Sequence, residues 1–168
     1  MAKTKKKDEF SIGEIVVYPK HGVGEIKNIS SIEISKIKTK CYIIQMEQGK
    51  LTIRVPLGKK REVGLRKITS KKKIEEVYTI LKQKPKVRRI MWSRRAQEYD
   101  TKIHSGDPVK IGEVIRDLFR KNNQPEQSYS ERQMFQIAME RLAREVAAIE
   151  KTDYFNATEK IENVLNNK

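Results

Sequence analysis

Cysteine, histidine, tryptophan and long apolar runs are all scarce in this chain. Its 168 residues include one cysteine, one tryptophan and two histidines. A lone Cys41 excludes an intramolecular disulfide and a cysteine metal cluster. Within Lys40-Cys41-Tyr42-Ile43-Ile44 it reads as a small buried strand residue. His21 and His104 stand far apart in sequence without ligand companions, so no metal and no cofactor is expected. No run approaches the roughly 18 apolar residues of a spanning helix, which removes the membrane as a site of insertion. The opening Met1-Ala2-Lys3-Thr4-Lys5-Lys6-Lys7-Asp8 is basic, with no apolar signal core after it. Residues 1–9 are therefore expected to be a disordered cationic tail of a cytoplasmic protein. Catalytic signatures are missing too. There is no nucleophile elbow, no paired-histidine spacing and no phosphate loop. Lys20-His21-Gly22-Val23-Gly24 lacks the full glycine fingerprint and a following helix, and reads as a turn between strands. No catalytic residue is assigned, and an enzyme is not expected.

Acidic residues are the last shortage: 22 Asp and Glu face 37 Lys and Arg, leaving a net charge of +15. That excess predicts attraction to a polyanion. Hydrophobic content of 37% beside charged content of 35% supports thin cores, and favours two small units over one thick one.

The chain in order agrees with that division. Between Phe10 and Leu57, short β-branched and aromatic runs alternate with turn residues. Ile15-Val16-Val17-Tyr18 stops at Pro19, strands follow over Ile26 to Ile34 and Tyr42 to Met46, and Gln48-Gly49 closes a hairpin into Leu51-Thr52-Ile53-Arg54-Val55-Pro56. In that last strand Leu51, Ile53 and Val55 alternate with Thr52 and Arg54, so Arg54 is expected to face outward on an edge. Several short strands in so few residues predict a small, highly curved barrel. Residues 59–73 carry eight basic residues against the single acid Glu62 and read as a basic, solvated connector, with Leu65 and Ile68 as anchors. Residues 10–70 form the first unit and residues 74–168 the second.

From Ile74 the apolar period becomes helical. A two-turn helix over Ile74 to Leu81 ends near Pro85, and another runs from about Ile90 to Ile103. Asp107 caps a third helix with Pro108 at its first position. After a polar loop from Asn122 to Tyr129, Ser130 is expected to cap a long helix, with Gln133 completing a capping box. Along it Glu140, Glu145 and Glu150 interleave with Arg141 and Arg144, the pattern of a solvated ion-pair face. Asn156 opens a short last helix. The expected fold class is α+β, a small barrel followed by an all-α bundle.

The densest chemistry lies in Lys86-Val87-Arg88-Arg89-Ile90-Met91-Trp92-Ser93-Arg94-Arg95, where the sole tryptophan sits among four arginines and no acid. Two readings of Trp92 compete. With Ala96, Tyr99 and Ile103 it repeats at helical spacing, which makes it core. In a cationic field it can also stack on or wedge between bases while Arg88, Arg89, Arg94 and Arg95 neutralise phosphates. No Asn or Gln pair occupies an obvious recognition helix, so contact with backbone and groove shape is expected, without a base code.

Several spaced motifs together bear a resemblance. Phe10-Ser11-Ile12-Gly13-Glu14-Ile15-Val16-Val17-Tyr18-Pro19-Lys20-His21-Gly22 resembles the opening signature of the CarD family of bacterial transcription regulators, and Leu51-Thr52-Ile53-Arg54-Val55-Pro56 its second. Trp92-Ser93-Arg94-Arg95, Ser105-Gly106-Asp107 and Val114-Ile115-Arg116-Asp117-Leu118-Phe119 are similar to its helical half. The same barrel module occurs in transcription-repair coupling factors, but this chain is too short for their helicase domains. The resemblance implies a Tudor-like barrel that binds the RNA polymerase β subunit, through Arg54 with Thr52 and Ile53. It also implies a helical domain that meets promoter DNA at the upstream edge of the melted bubble. There Trp92 would be the minor-groove wedge that keeps the open complex from closing, Arg94 a phosphate contact, and Arg95 part of the same motif. Lys121 and Arg132 align approximately with further basic positions near DNA. Gln97 stands where relatives often carry a base. The resemblance shifts the balance toward an exposed wedge, and a monomer is expected.

The alternative of a different class is a non-specific RNA- or ribosome-binding protein, which would share the charge and the barrel but act without polymerase. Charge gives the first expected outcome. If bare duplex is held by about four to six phosphates, log affinity should fall against log salt with a slope near −4 to −5. A salt titration of duplex binding measures it, and a flat response would mean the positive excess is not used on DNA.

Overall fold

The computed structural model describes residues 10–121 and 124–168. The basic tail of residues 1–9, and Asn122 and Asn123 of the polar loop, lie outside the described residues. The alternating half of the chain forms five antiparallel strands, β1 (Ile15–Tyr18), β2 (Gly22–Ile34), β3 (Ile37–Met46), β4 (Thr52–Pro56) and β5 (Arg66–Lys67). Their order is β4-β3-β2-β1-β5, so β4 is an edge. Strand alternation turns Val16, Ile26, Tyr42, Ile44, Met46 and Val55 to one face, where they bury with Phe10 and Leu65. Phe10 meets Tyr42 edge-on with ring centroids 5.6 Å apart. The sheet bends where a side chain is missing. A Cβ at Gly24 would approach Ile44 Cγ2 and Met46 Sδ to 2.8 Å, and the β2–β3 register shifts between Ile26 and Asn28.

Two strand expectations need correction. β2 and β3 start earlier than Ile26 and Tyr42, and they meet in a two-residue turn whose Ser35 and Lys36 have φ of 50° and 66°. Tight hairpins need that left-handed pair, but Ser-Lys carries none of the Gly or Asn that usually marks it. The basic stretch 59–73 is also not merely solvated. It contains β5, which pairs with β1 through Lys67 opposite Val16 and Arg66 opposite Val17, while Leu65 is buried.

Five helices follow: α1 (Lys71–Leu81), α2 (Trp92–His104), α3 (Pro108–Leu118), α4 (Tyr129–Glu150) and α5 (Tyr154–Asn166). This is the α+β order expected. Their starts are set by caps, some of which the sequence pattern misplaced. Ser70 accepts from the Lys73 N–H, so α1 begins before Ile74. Asp107 caps α3 as expected. Ser128, not Ser130, caps α4: its Oγ accepts from the Glu131 N–H at 3.2 Å and donates to the Glu131 carboxylate at 3.4 Å, where the sequence pattern pointed to Gln133. The acid wins because its charge also suits the positive helix end. Asp153 similarly displaces Asn156 as the cap of α5. The helices bury one apolar seam each, including Val77, Leu81, Ile103, Val114, Leu118, Leu142, Val146, Ile161 and Leu165.

The clearest departure is on α4. Its charged face, expected in solvent, is the seam against the sheet. Glu145 is only 3% exposed and accepts from both Arg66 Nη1 (2.7 Å) and Nη2 (3.0 Å) of β5. It also accepts from the Thr69 N–H at 3.2 Å. The same Arg66 donates from Nε to the Gly106 carbonyl at the α2–α3 turn, 3.1 Å away. Arg141 donates to the Pro19 and Lys20 carbonyls of the β1–β2 turn. Arg144 lies 3.6 Å from Glu47 and 3.0 Å from Glu140. Gln48 Nε2 donates to Glu140 at 2.9 Å. Only Arg144–Glu140 is the intrahelical pair that the pattern suggested. Gly106, at φ +71°, leaves no room for a Cβ, which would sit 3.0 Å from the Pro19 ring.

Two cores joined by a polar seam predict a specific outcome. A fragment of residues 71–168 should unfold cooperatively, but below the intact chain, because Glu145 loses Arg66 and Thr69. In the intact chain Glu145→Ala should cost about 3 kcal/mol, the low end for breaking a buried pair, since Arg66 is partly solvated. Thermal melts of both decide. A fragment without a cooperative transition would refute two units, and an unchanged melting temperature would refute the seam.

Candidate functional site

The path from α1 to α2, residues 82–91, has no regular structure, yet it carries Arg88 and Arg89 and delivers Trp92 to the first position of α2. What fixes it is the last turn of α3. Asp117, 3% exposed, accepts from the Lys86 N–H at 2.9 Å and from Arg116 Nε at 2.8 Å. Arg116, 5% exposed, reaches from Nη1 to Gln83 Oε1 at 3.0 Å. Lys168 Nζ donates to the Leu81 and Gln83 carbonyls, 3.2 and 2.9 Å away. Burial, then the nearby Arg116 and Lys121 charges, lower the Lys168 pKa. Arg141 at the seam is lowered as well, mainly by burial.

Trp92 falls between the two readings of its role. The ring is half-buried and packs against the helical core. It tilts toward Tyr99 at a centroid distance of 6.3 Å. The Arg95 guanidinium lies 5.4 Å from the Trp92 ring and 5.6 Å from the Tyr99 ring, and donates to the Tyr99 hydroxyl at 3.3 Å. Arg95 Nε is buried without a hydrogen-bond partner among the described residues. So the ring expected as an exposed wedge at the end of the apolar stripe is partly buried at its base, with Arg95 as its clasp.

The four arginines differ in what they do. Arg88 is paired with the Glu98 carboxylate at 2.8 Å. Arg95 is engaged by the two rings. Arg89 and Arg94 are exposed and make no side-chain hydrogen bond or ion pair among the described residues. All surround a helix end with no side-chain cap and no acid in its first turn. The orphan N–H groups and the positive dipole end already favour an anion there. Cations at that end cost the free helix stability, so the arrangement suits an external anion.

The other expected residues lie elsewhere. Lys121 donates to the Lys168 carbonyl. With Arg132, Phe119, Phe135 and Gln127 it lines a cleft of about 320 Å³ to which Trp92 and Arg94 do not contribute. Thr52, Ile53 and Arg54 sit on edge strand β4, opposite Gln45, Ile44 and Ile43 of β3. Arg54 is exposed and Ile53 half-buried, while Thr52 donates its hydroxyl to Gln45 Oε1 at 3.1 Å. Leu51, expected on the buried face, is 43% exposed. Among the described residues no group of His, Cys, Asp and Glu could hold a metal ion. None of their helices is long and apolar enough to cross a membrane. The positioning pair Arg116 and Asp117 went unassigned from sequence. The signal for it was an Arg-Asp dipeptide inside an otherwise apolar helix stripe, where unsatisfied charges are not tolerated.

Comparison with known proteins gives two family matches. Residues 10–80 match the CarD-like/TRCF RID domain and residues 76–162 the CarD C-terminal domain. The chain is also 30% identical over 140 residues to a Bacillus subtilis (strain 168) protein named "Putative transcription factor YdeB", covering 83% of this chain and 92% of that one.

The pinned connector carries its own expected outcome. Asp117→Asn leaves Arg116 buried without its counter-charge, so it should cost about 3–5 kcal/mol. It should also speed hydrogen exchange at the Lys86 amide, whose acceptor becomes an uncharged amide oxygen and so a weaker one. Exchange at Lys86 no faster than in the wild type would show that Asp117 does not hold the connector.

Proposed function

Because the chain belongs to the CarD family, whose matches point to a transcription-related role, we propose that it is a cytoplasmic regulator bridging RNA polymerase to promoter DNA. In this reading the Tudor-like sheet binds the polymerase β subunit. The helical half contacts the upstream edge of the melted bubble, with Trp92 as minor-groove wedge, and stabilises the open complex. The observation that carries it is the uncapped N-terminus of α2, where Trp92, Arg94 and Arg95 share the first turn.

Polymerase binding is supported by β4, an edge strand with unpaired main-chain groups and an outward Arg54. A partner strand can add there through main-chain hydrogen bonds, with Arg54 supplying a charge contact. The seam through Arg66 and Glu145 ties the opposite edge of the same sheet, β5, to the helices, so in this reading the free β4 edge reads the enzyme while the helical half reads DNA.

At the DNA end the balance of partners decides what the clasp does. A cation over an exposed ring is worth about 0.5–1 kcal/mol, whereas a charge-assisted hydrogen bond is worth about 1.5–3. A phosphate that accepts two such bonds from the guanidinium therefore outweighs the rings and the single bond to the Tyr99 hydroxyl. With Arg95 turned outward, Trp92 is free to lean into the groove and hold open a base step that would restack at a gain of a few kcal/mol. Arg89 and Arg94 engage neighbouring phosphates without rearrangement, since no internal partner competes for them.

One paired experiment tests both ends. Trp92→Ala should keep polymerase binding and lose less than the about 3–5 kcal/mol of a fully buried tryptophan, but shorten the open-complex lifetime. Phe at that position should restore it in part. Arg54→Glu should melt like the wild type and bind free DNA normally, but recover less β subunit in a pull-down. Unchanged recovery would remove the β4 assignment. A preserved open-complex lifetime with a strongly lowered melting temperature for Trp92→Ala would return Trp92 to the core. Tighter binding to RNA than to duplex, with no polymerase dependence, would favour the RNA-binding alternative.

A further inference from the structure

Next to Trp92, the structure breaks two local rules at one residue. Met91 is 78% exposed, among the most exposed large apolar side chains described. It is also the N-cap of α2, with φ −55° and ψ 142° and no side-chain capping bond. At N-caps Ser, Thr, Asp and Asn are preferred because their oxygens satisfy orphan N–H groups. Methionine offers none, and here it gains no burial in return. Such a residue lowers the stability of its own helix and adds apolar surface to water. Rule-breaking of this kind marks a site shaped by something other than the fold.

The backbone at this position is nevertheless well fixed. The Met91 carbonyl accepts from the Arg94 and Arg95 N–H groups, both at 3.1 Å. The chain before it is tied at Lys86 to Asp117. The side chain is thus carried on a firm stalk just before Trp92. Val87, 43% exposed, adds a second apolar group to the same connector. Around them stand Arg89 and Arg94, exposed and unpaired among the described residues, with the positive end of α2 behind.

From these features we propose that Met91 is itself an inserting residue, entering a base step of duplex DNA beside Trp92. The occupant is argued from charge. The apolar tip lies between the exposed Arg89 and Arg94 in sequence and has no acid in the adjoining helical turn, which suits a groove walled by phosphates. An unbranched thioether side chain fits such a step, since apolar wedges that part bases include methionine. Its three rotatable bonds let it adapt to steps of different sequence. This rests on the DNA-contact reading proposed for Trp92. It adds a division of labour, in which the clasped ring is the broad face and Met91 the leading tip.

The test uses the full chain with RNA polymerase holoenzyme on a promoter carrying 2-aminopurine at the upstream bubble edge. Met91→Ser supplies a better N-cap and should melt at or above the wild-type temperature. It should bind polymerase normally, yet shorten the open-complex lifetime about five- to tenfold and lower the 2-aminopurine signal of unstacking. Met91→Leu, which keeps an apolar tip, should stay within about twofold of wild type. Trp92→Ala is run beside them. If it shortens the lifetime while Met91→Ser does not, the Met91 proposal is overturned and the Trp92 reading survives. If only Met91→Ser shortens it, Met91 is the wedge and the Trp92 assignment fails. If neither does, both fall. Loss of self-association in Met91→Ser at unchanged lifetime would make the tip a contact between copies of this chain, which also overturns the proposal.

Discussion

The carboxylate of Glu145 holds the two halves of this molecule in one relation. It is nearly buried, and its acceptors are filled from the other half by the Arg66 guanidinium and the Thr69 N–H. Arg66 in turn reaches the Gly106 carbonyl, so one arginine links β5, α4 and the α2–α3 turn. A charge buried this far is tolerated only when paired and hydrogen-bonded. Geometry follows from that demand, because any rotation between sheet and helices strands Glu145. Arg141, bonded to the carbonyls of the β1–β2 turn, repeats the constraint beside it. The edge of β4 and the start of α2 are therefore related through polar contacts with directional requirements, whereas greasy surfaces would allow sliding.

The same logic recurs on a smaller scale under the connector. Residues 82–91 have no ladder or helix of their own, so their shape depends on what they touch. Asp117 and Arg116 supply that contact from a helix that is otherwise an apolar stripe. The two buried charges neutralise one another and aim their remaining bonding capacity at the connector. In both places polar groups buried in a core define an orientation, and each orientation bears on where the first turn of α2 points.

Much of this was legible in the sequence, and the failures share a cause. Strand alternation put Arg54 outside and Val55 inside, and helical spacing put Trp92, Tyr99 and Ile103 on one face of α2. Those signals are local and periodic. What misled was polarity read without a partner. Glu145 looked like one charge among many on α4, because sequence shows the neighbours along a helix but not the strand packed across it. Ser130 and Gln133 resembled a capping box as well as Ser128 and Glu131 did, and only the helix-end charge distinguishes them. The Ser35-Lys36 turn carried no glycine to announce its left-handed backbone. The role of Arg66 was hidden by its place in a run of basic residues, where one structural cation looks like seven solvated ones.

Trp92 shows why a periodic pattern cannot choose between core and contact at a helix end. Spacing assigns a face, and the face is indeed the one carrying Tyr99 and Ile103. It says nothing about depth along the axis, and at the first position of α2 the turn that would cover the outer part of the ring does not exist. The ring is thus half core by its direction and half surface by its location. A clasp such as Arg95 is held in that setting because the guanidinium lies over two rings and donates to the Tyr99 hydroxyl, while one nitrogen, Nε, goes without a partner. An unsatisfied buried donor costs about 1–3 kcal/mol, comparable to what the stacking returns. That cost offsets part of what the rings and the Tyr99 hydroxyl return, which is the condition the proposed handover of Arg95 to a phosphate depends on. A helix that capped itself well and buried its tryptophan fully would be more stable, and would have nothing left at that end to offer a negatively charged groove.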